Sequence, residues 1–195
     1  VVLKLYAGPT DEPLTLTELK NQLRIDSNDE DTFLRSLITV ARRLLERYTF
    51  RSFMTQTWQL NLDAFPSSDE ECIRLPMGPV QSVTSVTYYD ESGVQQTLSP
   101  SVYKTDIVSE PGRIYLAENE SWPTNVLDEL NAVTIIYVAG YESADSVPSE
   151  LKQAMLLMCG DLYLNRESWD YGKVPDMISA PIAGLCEPYR VFEFV

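Results

Sequence analysis

The stretch "LITVARRLLERYTFRSFMTQTWQL" (Leu37–Leu60) changes its hydrophobic period partway along. Before it and through its first half, Phe33, Leu34, Leu37, Ile38, Ala41, Leu44, Leu45 and Tyr48 recur at helical spacing. That stripe predicts one amphipathic helix in "SNDEDTFLRSLITVARRLLERYTF" (27–50). Ser27 or Asn28 is suited to cap it, Asp29, Glu30 and Asp31 fill its first turn, and Arg42, Arg43 and Arg47 sit towards its end. Acids at the start and bases at the end both complement the helix dipole. From Met54 to Gly140 the period becomes two, which is the period of strands.

Working outward towards the N-terminus, residues 1–14 read as an extended arm that ends in the turn "GPTDEP". "TLTELKNQLRID" follows, with Thr15 and Glu18 spaced as a capping box and Leu16, Leu19, Leu23 and Ile25 on one helical face. Towards the C-terminus, "TQTWQLNL", "CIRL", "SVTSVTYYD", "VQQTL", "GRIYL" and "AVTIIYVAG" read as short strands punctuated by Gly and Pro. "DESG" (Asp90–Gly93) is a hairpin turn with a glycine available for positive φ. This punctuation favours an antiparallel sheet over a βαβ pattern. The alternation of "GPVQSVTSVTYYDESG" is expected to bury one face around Val83 and to leave the other face and the sheet edge available for pairing.

"VPSELKQAMLLMCGDLYLNRES" returns to helix, with Pro148 at its first position and Leu151, Ala154, Met155, Met158, Leu162 and Tyr163 as its apolar stripe. Gly160 beside Cys159 makes a small patch where another helix can approach closely. A loop at 168–180, a short helix in "PIAGLCEPYR" and an apolar end "VFEFV" complete the chain. The expected fold is therefore α+β. A helical core, made of an N-terminal helix pair and a long C-terminal helix, carries an antiparallel β insertion between the helical segments. The boundaries expected are 1–53 for arm and helices, 54–141 for the β insertion lobe, and 142–195 for the helix, loop and tail that complete the core.

Composition narrows the function. Hydrophobic residues are 44% and charged residues 23% of 195, an ordinary globular balance. No apolar run approaches the roughly 20 residues that cross a bilayer, and "VVLKLY" lacks the order of a signal peptide. With 15 basic and 29 acidic residues the formal charge is −14. Such a chain repels nucleic acid and anionic membranes, which argues against a free-standing DNA-binding module. Cys72, Cys159 and Cys186 are odd in number, far apart and without a C-x-x-C pair, so reduced buried thiols are expected rather than disulfides or zinc.

The chain has no histidine, which removes the Ser-His-Asp triad, the Cys-His pair and the H-E-x-x-H zinc site. No phosphate-cradling glycine loop is present. "DSNDED" (Asp26–Asp31) fails as a calcium loop, because its sixth and twelfth positions are Asp31 and Leu37 rather than Gly and Glu. Among 29 acids some pair always suits a glycosidase, so that signal is empty. No catalytic residue, metal or cofactor is expected. Candidate contact residues are the basic cluster Arg42, Arg43, Arg47 and Arg51, the loop aromatics Trp169 and Tyr171, and Phe192 and Phe194 of a tail suited to add as a strand to a partner's edge. Trp58 and Trp122 read as sheet core.

In order along the chain, "LTLTELKNQLRID", an acidic step, "LITVARRLLERYTFRSFMTQTWQL", "LPMGPVQSVTSVTYYDESG", "WP" (Trp122–Pro123), "VTIIYVAGY", "VPSELKQAMLLMCGDLYLNRES" and the closing "YR" (Tyr189–Arg190) resemble the tailed-phage head–tail connector family, also called adaptor, head-completion or possible DNA-packaging proteins. The resemblance spans most of residues 14–190 and adds Tyr189 and Arg190 to the candidate contacts. It implies a virion structural protein at the head–tail junction, present in host cytoplasm during assembly. It implies a ring of identical copies, usually a dodecamer, between the portal protein and a tail or head-completion protein. Double-stranded DNA passes through such a ring without tight binding, and no membrane is involved. The resemblance brings no catalytic residues. Arg42, Arg43 and Arg47 are then expected to meet acids of an adjacent copy. The alternative is a soluble tail or receptor-contact module that uses the β lobe; an acid-rich hydrolase is a third reading.

Overall fold

A computed structural model describes residues 1–67, 72–126, 129–166 and 178–192. The fold is α+β, and the chain divides into two compact units. One contains 1–10 and 55–140; the other contains 11–54 and 141–192.

The first unit is built of antiparallel strands. β1 (Val2–Ala7), β2 (Gln56–Leu62), β8 (Val133–Ala139), β4 (Val80–Tyr89) and β5 (Gln95–Thr97) form a five-stranded sheet in the order β1-β2-β8-β4-β5. β3 (Ile73–Leu75), β7 (Gly112–Leu116) and β6 (Tyr103–Asp106) form a second sheet in the order β3-β7-β6. One apolar cluster draws on both sheets: Leu60, Val86, Val133 and Ile135 from the larger, Ile73, Leu75, Ile114 and Leu116 from the smaller. β8 shows why. Its odd residues Val133, Ile135, Tyr137 and Ala139 are buried and the residues between them are half-buried, as expected of alternating side chains on a pleated strand. Trp122 is buried in this cluster and Trp58 packs against it half-buried. The sheets approach closely at Gly112, where an added Cβ would stand 2.6 Å from Val80 Cγ2.

Two features refine the sequence reading. The N-terminal arm is a strand, paired to β2 from Val2↔Asn61 to Ala7↔Thr57. β4 pairs with β8 on one side from Val80 to Tyr88, but β5 covers only Thr87–Tyr89 on the other, so the first arm of the hairpin is interior at its turn end and lies at the sheet edge over Val80–Ser85. The Asp90–Gly93 turn forms as expected. Gly93 has φ +74°, its N–H donates to Asp90 O at 2.8 Å, and Asp90 Oδ1 accepts from Ser92 N and Val94 N at 3.0 Å each.

The second unit is helical: α1 (Leu16–Leu23), α2 (Asp31–Thr49), α3 (Ser149–Leu164) and α4 (Ala180–Cys186), with 3-10 turns at Ala144–Ser146 and Glu187–Tyr189. Leu19, Leu34, Ile38, Ala41, Leu45, Phe53, Leu151, Met155, Cys159 and Ile182 share one core. α1 begins with the capping box of Thr15 and Glu18. α2 starts later than its acidic run suggested. Its N-cap is Glu30, which makes no capping bond, because its two carboxylate oxygens accept from Tyr163 OH and Arg166 Nη2 at 2.6 Å each. Pro148 stands one place before the first turn of α3, as N-cap. Gly160 is not forced by crowding: a Cβ there would meet Leu23 Cδ2 at 3.9 Å, an ordinary contact.

Candidate interface surfaces

α2 sorts its arginines by face. Arg42 lies on the inner side, 3% exposed. Its Nε donates to Glu12 Oε2 at 2.7 Å and its Nη1 to Glu46 Oε2 at 2.9 Å. Thr39 Oγ1 donates to Glu12 Oε1, and Glu46 Oε1 accepts the Phe53 backbone N–H, each at 2.8 Å. Burial alone would weaken the Arg42 charge, but its hydrogen bond to Glu12 and the fields of Glu46 and Glu12 outweigh it and hold the guanidinium above its ordinary pKa. Arg42 is thus engaged within its own chain, by Glu12 and Glu46. Arg43 and Arg47 point outward and make no ion pair or hydrogen bond among the described residues. Val40 and Phe50, 43% and 40% exposed, lie along the same side.

Arg51 is also engaged internally. Its Nε donates to the Tyr189 carbonyl, and Val191 N donates to Thr49 O at 2.9 Å, so the chain end is tied back to the end of α2. Tyr189 OH donates to Glu150 Oε2 at 3.0 Å. Arg190 lies between the rings of Tyr48 and Phe192, its Cζ 4.8 and 4.9 Å from their centroids, and near Glu187. Tyr189 and Arg190 therefore hold the tail in place, while Phe192 stays more than half exposed. Trp169, Tyr171 and Phe194 lie outside the described residues. Sequence reasoning missed Glu30 and Arg166. Arg166 is stacked between Phe33 and Tyr163 while paired to Glu30, and the partners are 136 residues apart, a separation no local pattern reports.

A second outward surface forms at the end of the β4–β5 hairpin. Tyr89, Glu91, Ser92, Gly93, Glu129, Leu130, Asn131 and Ala132 line an open cleft of about 560 Å³. Leu130 is 81% exposed and Val94, in the same turn, 54%. Hydrogen bonds from the Val94 N–H, the Gln96 amide and the Ser92 N–H hold the Asp90 carboxyl below its ordinary pKa. Asp90 thus fixes the turn, and the outward acids are Glu91 and Glu129.

Among the described residues no group of three His, Cys, Asp or Glu is placed to hold a metal ion. No helix among them is long and apolar enough to cross a membrane. The buried thiols are quiet: burial pushes Cys159 up to about 12 and Cys186 up to about 11. At pH 8 the native protein is expected to give up one thiol, half-buried Cys72, to a soluble alkylating reagent, with Cys159 and Cys186 reacting only after unfolding. Counting labelled cysteines by intact mass checks this; a second thiol labelled as fast as Cys72 would refute it.

Residues 13–107 match the family described as phage gp6-like head-tail connector protein, which bears out the resemblance read from the sequence. The family is a structural one, not a catalytic one. The fold matches solved structures along its whole length. A chain in "Neck of empty GTA particle computed with C6 symmetry" is 22% identical with a TM-score of 0.76. One in "Virion of native gene transfer agent (GTA) particle" is 20% identical with a TM-score of 0.78. One in "Neck of native GTA particle computed with C12 symmetry" is 20% identical with a TM-score of 0.70. Each alignment covers 100% of this chain and 98% of the other. No curated protein sequence matches.

Proposed function

We propose that this chain is a head–tail connector of a phage-like particle, assembling as a ring of about twelve copies in the neck, between the portal and a tail or head-completion protein, with double-stranded DNA passing through its bore. The match of residues 13–107 to a connector family carries this reading. Fold similarity to neck chains, one set described with C12 symmetry, supports the ring. The charge supports the conduit. A wall built from copies of net charge −14 releases few counterions from duplex DNA and so holds it weakly. The same charge makes copies repel one another, so the ring needs contacts that offset the repulsion.

The test is electron cryomicroscopy of intact particles together with co-purification on tagged portal protein. The expected result is this chain as a ring at the neck, retained by portal, with duplex bound no tighter than the weak non-specific range at physiological salt. Absence of the chain from mature particles, or tight duplex binding by the purified protein at that salt, would overturn the reading.

A further inference from the structure

The outer face of α2 and the end of the β4–β5 hairpin have complementary compositions. Along α2, Arg43 and Arg47 are exposed and without partners among the described residues, and Val40 and Phe50 expose apolar surface beside them. The helix has only two acids, and both are engaged: Asp31 with Lys20 at 2.5 Å and Glu46 with Arg42 at 2.9 Å. In a chain of charge −14 this is a helix face with no free acid on it. At the hairpin end, Glu91 and Glu129 are exposed, and neither side chain has a hydrogen bond or ion pair among the described residues. They stand among exposed Tyr89, Val94 and Leu130. Each surface thus has an apolar part and two like charges, and the signs are opposite.

We infer that in the assembled ring the hairpin end of one copy seats on the α2 face of the next, with Glu91 and Glu129 meeting Arg43 and Arg47 and the apolar side chains closing over one another. The inference rests on the connector reading and names its subunit contact. Two different patches meeting head to tail generate a ring whenever the rotation closes, which a contact of one patch with itself does not. A second copy suits the α2 face better than DNA does. Phosphates use cations but leave Val40 and Phe50 bare, whereas arginine beside aromatic and aliphatic surface is the composition of protein–protein contact centres. Covering Arg43 and Arg47 also keeps those cations from gripping the cargo.

Charge exchange tests it in assembling particles. R43E/R47E and E91K/E129K are surface changes and should leave the purified chain folded, with R43E/R47E lowering the melting temperature by at most a few degrees because two acids then oppose the α2 dipole. Each alone should cut the copies of the chain per particle by at least tenfold, because like charges then face each other around the ring. Co-expressing the two variants, or combining all four changes in one chain, should restore incorporation to within twofold of wild type. Normal incorporation of either single variant, or loss without rescue, would overturn the contact while wild-type chain in the neck upholds the connector reading. Wild-type chain absent from particles would overturn both. If R43E/R47E rings assemble fully and only DNA retention falls, the α2 face meets DNA and the contact is wrong.

Discussion

Replacing Arg42 with alanine is expected to cost about 3 kcal/mol, because it leaves a buried carboxylate without its cation. Glu46 is 5% exposed and would lose its cation, with the Phe53 N–H still donating to it. Glu12 can recover water, its side chain being 29% exposed, which places the loss near the lower end for a broken buried pair. Exposed pairs give the contrast: Arg113–Asp106 lies at the surface, where solvent screens it and removing either partner leaves the other in water. Arg42→Lys should recover only part of the loss, since a single ammonium cannot match the fork that reaches Glu12 and Glu46 together. Urea denaturation followed by the helical circular dichroism signal measures this. A loss below about 1 kcal/mol would mean that the site is solvated and the network weak. The folded fraction of the Arg42→Ala protein should still enter particles, whereas R43E/R47E should not. Neighbouring residues on one helix thus separate into a stabiliser and a contact.

That separation was only half legible in the sequence. Position along α2 grouped Arg42, Arg43 and Arg47 alike at a helix end, and a helix end favours bases whichever way they point. The i,i+4 spacing of Arg42 and Glu46 was the local clue that one of the three was engaged. Glu12, thirty residues before, gave none. The same rule explains the rest of the fold. The apolar stripe of α2, the Thr15–Glu18 box and the Asp90–Gly93 turn are encoded within a few residues, and all three formed. β6 was missed because "YKTD" is four residues, mostly polar, and becomes a strand only by pairing with β7. β1 read as an extended arm because its partner begins about fifty residues later. The hairpin end was legible as a turn but not as a surface, since Glu129 and Leu130 join it from the far side of another strand pair.

Tyr137 should be the most sensitive position of the sheet unit. It is fully buried in β8, between β2 and β4, facing Trp58 on one side and Val83 on the other. Its ring fills the space shared by both sheets, and its hydroxyl donates to Pro76 O at 2.7 Å. Tyr137→Ala removes the ring and opens a cavity that stiff β-branched neighbours cannot close, an expected loss of about 3–5 kcal/mol. Tyr137→Phe keeps the packing and gives up only the hydrogen bond, so it should cost about 1–2 kcal/mol, mainly through the carbonyl left unsatisfied. The ratio matters more than either value, because it weighs ring against hydroxyl at one position. Equal losses for the two variants would place the stabilisation in the Pro76 bond and refute the packing account. A small loss for Tyr137→Ala would mean that the cluster relaxes around the gap. If the sheet unit depends on this ring, Tyr137→Ala should also disturb the hairpin end carried by β4, since β4 pairs with β8 from Val80 to Tyr88. Particle incorporation should then fall for Tyr137→Ala and persist for Tyr137→Phe, linking the packing of β8 to the contact surface it supports.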